Sequence, residues 1–100
     1  MAGFRVSAEA ERDLDQIVSY TLEAWGWRQT DQYLARLEDG FDLLARNSSL
    51  GRSFQALRAG MRRFEIGHHV VFYLPEAEGI LVVRLLHERM MPSRYLGPWD

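Results

Sequence analysis

Residues 61–86 place the tightest condition on this chain, because they read as three consecutive β-strands that are apolar on both faces. The first two runs, Met61–Ile66 and His69–Leu74, are separated only by Gly67-His68. Glycine at the first central position suits a two-residue type II′ hairpin, whose twist matches that of the strands it joins. The polar stretch Pro75-Glu76-Ala77-Glu78-Gly79 then leads into a third run, Ile80–Leu86. β-Branched and aromatic side chains dominate all three, which suits a pleated, half-buried surface and predicts an antiparallel meander. Pairing Ile66 with His69 and Leu74 with Ile80 puts Phe64, Ile66, Val71, Tyr73, Leu81, Val83 and Leu85 on one face. The other face holds Val70, Phe72, Leu74, Ile80, Val82 and Leu86, edged by Arg63, Glu65 and Arg84. An antiparallel sheet normally keeps one face polar, so both faces of this one need a cover. The second pairing depends on a five-residue loop, and a slip of one residue would exchange the faces of a strand.

The residues before the meander supply one cover. Phe4-Arg5-Val6 is a short strand candidate for the meander's edge, and Ser7 stands where a helix N-cap belongs. Glu9, Glu11 and Asp13 add negative charge near the positive end of that helix. Leu14, Ile17, Val18, Thr21, Leu22 and Trp25 form its apolar stripe, and Gly26 can end it. A second helix runs from Trp27 or Arg28 to about Arg46, with a stripe of Tyr33, Leu34, Leu37, Phe41 and Leu44. So short a break makes the pair an αα-hairpin, and Gly40 is placed to permit close packing. Arg52–Gly60 reads as an irregular connection anchored by Phe54 and Leu57. The expected fold is α+β, in the order β-αα-βββ with a short C-terminal tail. A helix hairpin covers one sheet face; a partner, a second copy or the tail must cover the other.

Composition narrows the function classes. One hundred residues make a single domain, and a net charge of −2 gives no overall attraction to nucleic acid or membrane. Without cysteine, disulfides and thiolate zinc sites are excluded. The N-terminus lacks the hydrophobic core of a signal peptide, so a cytoplasmic protein is expected. His68 and His69 sit at a tight turn and, as neighbours, point to opposite sheet faces, the wrong disposition for joint metal binding. They read as exposed turn residues, His87 reads as a hydrogen-bonded structural residue, and neither metal nor cofactor is expected. Arg62, Arg63, Arg84 and Glu65 suggest a charge cluster or a contact with an acidic partner. Trp25 falls on the apolar stripe and reads as core; Trp27 reads as a surface anchor. Arg89, Met90, Met91, Arg94, Tyr95 and Trp99 make a basic, aromatic tail of a composition enriched at interfaces.

Several phrases occur in series: Ser7 to Leu14 (SAEAERDL), Trp25-Gly26, Leu57 to Phe64 (LRAGMRRF), Gly67-His68-His69, Phe72-Tyr73 and Arg84 to Met90 (RLLHERM). Together they resemble the ParE toxins of the RelE/ParE superfamily of type II toxin–antitoxin systems. The resemblance implies a helix hairpin on a small sheet, a ParD-like antitoxin partner, and DNA gyrase as target rather than enzymatic activity of its own. It places antitoxin contacts on Arg63, Glu65, Val70, Phe72, Leu74, Val82, Arg84 and Trp27, and target contacts on Arg89, Met90, Met91, Arg94, Tyr95 and Trp99. The alternatives are a ribosome-dependent ribonuclease of RelE type and a non-toxic interaction module. For the ribonuclease, Arg residues could clamp phosphate and His87 or Glu65 could act as base. However, the chain has no Lys, and Arg stays protonated.

Overall fold

A computed structural model describes residues 3–55 and 58–90. Its elements are β1 (Gly3–Val6), α1 (Ala8–Trp25), α2 (Trp27–Arg46), β2 (Arg52–Ser53), β3 (Arg62–Ile66), β4 (His69–Glu76) and β5 (Gly79–His87). The expected α+β order is present, with one addition. The stretch read as irregular contributes β2, which pairs with β3 through Arg52–Arg63 and Ser53–Arg62. The five strands form one sheet in the order β1-β5-β4-β3-β2, and β1 runs parallel to β5, so the sheet is mixed.

The first hairpin follows its sequence signature. Gly67 has φ +60° while no non-glycine residue among the described ones has positive φ, the combination a type II′ turn requires. Its register pairs Ile66 with His69, Phe64 with Val71 and Arg62 with Tyr73, as expected. The second hairpin is tighter than expected. β4 continues through Pro75 to Glu76, β5 starts at Gly79, and only Ala77-Glu78 intervene. Pro75, the first residue of the expected loop, cannot donate a ladder hydrogen bond. It is tolerated in β4 because β3 ends opposite Tyr73 and leaves that side open.

Closing the turn early shifts the register, and an irregularity between Phe72 and Tyr73 takes up the difference. Phe72 faces Arg84 but Tyr73 faces Val82, leaving Val83 as the extra residue. Below this bulge the expected faces of β5 are exchanged. Ile80 and Val82 join the helix-covered core, and Val83 lies on the other side. Beyond it, Leu85 and Leu86 keep their expected faces.

The helix hairpin covers one sheet face. Leu37, Phe41, Leu44 and Ala45 of α2 and Ala10 and Ile17 of α1 pack on Ile66, Val71, Tyr73, Ile80, Val82 and Leu85. Gly40 does permit the close approach: a Cβ there would lie 2.3 Å from Ile66 Cδ1. The buried Tyr73 hydroxyl accepts from Gly51 N (2.9 Å) and donates to Ser48 O (2.8 Å), tying the chain after α2 to the sheet. Met61, Val70, Phe72 and Leu86 form a second cluster on the opposite face, with Phe54, Leu74 and Val83 against it. That face is therefore already occupied in part by the chain's own Phe54 and Met61.

Candidate functional site

β1 pairs with β5 only as far as Val82, so the outer edge of β5 is open from Val83 onward. Helix α1 takes over that edge with side chains. Ser7 donates from N to Val82 O (2.9 Å) and from Oγ to Val83 O (2.7 Å), while Oγ also accepts from Ala10 N (3.0 Å) as the N-cap. One turn further on, Asp13 Oδ2 accepts from Leu85 N (3.0 Å) and from Arg84 Nε (2.7 Å), and Oδ1 accepts from Arg84 Nη2 (3.0 Å). The carboxylate thus satisfies a strand edge and a guanidinium together. Bonding to Asp13 pushes the Arg84 pKa further above its ordinary value.

Past this junction, α1, the N-terminal half of α2 and the end of β5 enclose a groove of about 1350 Å³. One end is aromatic. Tyr20 and Trp25 line it at 71% and 66% exposure, so Trp25 is not in the core as its stripe position suggested. The buried stripe of α1 is Ala10, Asp13 and Ile17, and the helix has passed the sheet before it reaches Trp25. Its lining also includes His68, His69, His87, Glu88, Arg89 and Met90, together with Arg12, Arg36 and Arg84.

The histidines are more tightly organised than turn residues. His69 and His87 are cross-strand partners with ring centroids 5.5 Å apart, and the His68 and His87 rings stack at 6.5 Å. His68 is exposed as expected, but His69 is half-buried behind Tyr33. The Tyr33 hydroxyl meets His69 Nδ1 and accepts from His68 N at 3.1 Å. His87 accepts from Arg89 N through Nδ1 (3.2 Å), a local hydrogen bond of the expected kind. Among the described residues, no three of His, Asp and Glu are arranged to hold a metal ion.

Burial, reinforced by His87 and His68 and opposed by Glu88 and Asp13, lowers the His69 pKa from 6.5 to about 4. The unfolded chain therefore binds the extra proton between pH 6.5 and 4, and folding excludes it. This contribution is complete above pH 6.5 and is lost as pH falls from 6.5 towards 4. Discounted for solvent access, it amounts to about 2 kcal/mol. Urea titrations at steps between pH 7 and 4 should show this slope, and His69→Gln should flatten it.

The predicted antitoxin residues divide among four places. Arg63, Glu65, Val70, Phe72 and Leu74 lie on β3 and β4, with Val70, Phe72 and Leu74 in the second cluster. Val82 is corrected: it is fully buried beneath the helices because of the bulge in β5. Arg84 lines the groove, and Trp27 stands exposed where α2 begins. The expected cluster of Arg62, Arg63, Arg84 and Glu65 does not form. Glu65 pairs with Arg52, Arg84 with Asp13, and Arg62 donates to Gly51 O and Ser49 O. Of the predicted target residues, Arg89 and Met90 line the groove; Met91, Arg94, Tyr95 and Trp99 fall outside the described residues.

Sequence reasoning missed Asp13 and Tyr33 as site residues. Asp13 had a visible signal, being an acid between Ala10 and Ile17 on a buried helical face. Tyr33 had none, since an aromatic on an apolar stripe looks like core. No helix among the described residues is long and apolar enough to cross a membrane.

The profile of a family described as ParE toxin of type II toxin-antitoxin system, parDE, matches residues 4–92. A protein named Toxin ParE from Escherichia coli is 42% identical over 91 residues, covering 90% of this chain and 88% of its own length. Toxin ParE1 of Mycobacterium tuberculosis is 37% identical over 94 residues, covering 93% and 96%. Toxin ParE1 of Caulobacter vibrioides is 35% identical over 97 residues, covering 97% and 100%. A solved structure titled Chromosomal ParDE TA system from P. aeruginosa shares the fold, with a TM-score of 0.72 at 15% identity, covering 87% of this chain and 96% of that one. With the profile spanning nearly every element of the fold and these relatives covering most of its length, the chain belongs to the ParE toxin family of type II toxin–antitoxin systems.

Proposed function

We propose that this chain acts by binding DNA gyrase and is kept inert by a ParD-like antitoxin, one segment of which lies in the groove between α1 and the end of β5. The observation that carries this reading is that Arg89 and Met90 line the same groove as His69, His87 and Arg84. A segment filling the groove covers the first residues of the expected target-binding tail, so neutralisation is occlusion. The lining suits an amphipathic acidic segment. Tyr20 and Trp25 offer aromatic surface at one end, while Arg12, Arg36 and Arg89 outnumber the acids Glu9 and Glu88 once Asp13 is paired with Arg84.

Support for gyrase as target comes from membership of the ParE family and its resemblance-based expectation, not from a catalytic constellation. Of the two alternative bases named for a ribonuclease, Glu65 is paired with Arg52 of β2, and His87 lies in the groove with its Nδ1 accepting from Arg89 N. A supercoiled plasmid incubated with the protein, gyrase and ATP, then treated with detergent and protease, should yield linear DNA only when both proteins are present. Antitoxin should abolish that product, and Arg89→Glu should weaken it. A folded, antitoxin-free sample that leaves the plasmid intact would sink the gyrase reading, and mapping mRNA ends in a translation reaction would then test the ribonuclease.

A further inference from the structure

Two imidazoles in the groove have the position of their proton set by what meets their Nδ1 atoms. The Tyr33 hydroxyl accepts from His68 N at 3.1 Å, which leaves its own proton to be donated. His69 Nδ1 is the nearest acceptor, whereas Ile66 O stands at 3.4 Å, the limit of a hydrogen bond. Tyr33 therefore donates to His69 Nδ1, and the one proton of neutral His69 sits on Nε2. His69 is neutral at physiological pH, because burial above all lowers its pKa to about 4. His87 reaches the same state by another route: its Nδ1 accepts from the backbone N–H of Arg89 at 3.2 Å, so its neutral form also carries the proton on Nε2.

Each ring thus offers one Nε2–H donor. Neither Nε2 has a hydrogen-bond partner among the described residues, and neither is sealed from solvent, since the one buried side-chain polar atom without a partner there is Arg63 Nε. A nitrogen that holds its proton cannot bind a metal or act as a base; it can only donate. His69 and His87 are cross-strand partners on β4 and β5, with ring centroids 5.5 Å apart and ring planes at 83°. Arg12, Arg36 and Arg89 line the same groove and make no ion pair among the described residues. Of the acids in that lining, Asp13 is held by Arg84 and Glu88 faces His68 Nδ1 at 3.5 Å, which leaves Glu9.

The geometry points to the Nε2–H groups of His69 and His87 as a paired-donor site for a phosphate group, with the groove arginines supplying positive charge. A tetrahedral phosphate fits it better than a carboxylate for two reasons. The two rings are nearly perpendicular, and phosphate oxygens diverge in three dimensions, whereas a carboxylate oxygen accepts best in its own plane. Three arginines uncommitted to an acid also match an ion that carries more than one negative charge, and guanidinium suits phosphate. The site goes beyond the antitoxin and gyrase reading and requires neither partner.

The test uses the full chain alone, so its failure leaves the antitoxin and gyrase reading standing. Two-bond proton–nitrogen NMR of the histidine rings at about pH 8, above the ordinary histidine range, reads the tautomers directly. Both His69 and His87 should carry the proton on Nε2, and a proton on Nδ1 of either would overturn the paired donors. Inorganic phosphate is then added at constant ionic strength, with sodium acetate and sodium chloride in parallel. The expected result is a saturable shift of both Nε2 resonances with phosphate and none with the other two salts. No saturable shift would overturn the site, and an equal response to acetate would overturn its assignment to phosphate. His87→Ala should abolish the phosphate response at His69 Nε2. Arg89→Gln should weaken phosphate about threefold or more with both tautomers unchanged. Tetrathymidylate then separates the sources of the phosphate, since Tyr20 and Trp25 stand exposed in the same groove for bases to stack on. Binding about tenfold tighter than inorganic phosphate assigns the site to a nucleic-acid strand, and equal affinity assigns it to a free phosphate group.

Discussion

Asp13→Ala is expected to lower unfolding stability by about 3–4 kcal/mol, the largest loss foreseen for a single polar side chain in this fold. Two groups lose their acceptor together. The Arg84 guanidinium, whose side chain is 19% exposed, loses the carboxylate that accepts from its Nε and Nη2, and Leu85 N–H is left facing α1 unmet. Removing one member of a buried pair costs more than the pair contributes, because the abandoned charge stays desolvated. Urea denaturation of Asp13→Ala, Arg84→Met and the double variant separates the two parts. Arg84→Met should cost less than Asp13→Ala, since Asp13 keeps Leu85 N. The double variant should be no worse than Asp13→Ala alone. If the two losses simply add, Asp13 and Arg84 do not act as a unit.

Gly79→Ala is expected to cost about 3 kcal/mol and to release β1 from the sheet. The residue has φ +136°, a conformation that side chains rarely adopt, and a Cβ there would stand 1.7 Å from Gly3 O. The obstacle is backbone, so no rotamer change relieves it. Relief requires Gly3 to move, and Gly3 and Phe4 pair directly with Gly79 and Ile80. Phe4 would then lose its edge-to-face contact with Phe41, whose ring centroid is 5.2 Å away. Hydrogen exchange should show protection lost first at residues 3–6, with β3 and β4 less affected. Wild-type stability with β1 still protected would contradict this account of the edge.

Both residues mark the limit of what could be read from the chain. In SAEAERDL, Asp13 reads locally as negative charge near a helix N-terminus. Its partner lies 71 residues away, and no local pattern says which strand edge the helix will meet. Gly79 reads in the sequence as the end of a polar loop. The close approach of β1 gives it its importance, and that approach exists only because β1 adds parallel to β5.

His69 and Arg63 teach the same lesson. Next to a two-residue turn, histidine is usually solvated. Here α2 brings Tyr33 across it, so burial rather than turn position sets its charge. Arg63 was grouped with Glu65 because the two are close in sequence, yet β2, a strand of only two residues, supplies Arg52 to Glu65 and leaves Arg63 to the aromatic rings.

The identity and order of the long elements, the N-cap at Ser7, the type II′ turn, the register of β3 with β4 and the family are all legible in the chain alone. Each follows from local periodicity, turn chemistry or a matched phrase, which act over a few residues and survive without knowledge of the rest. The face that Val82 occupies, the point where α1 replaces β1 along β5, and the groove that gathers Arg84, His69, His87 and Arg89 arise from packing between distant elements. These depend on one bulge and on contacts across some seventy residues. A one-residue change of register reverses a strand's faces at little local cost, so packing of the whole sheet against the helices has to choose between them.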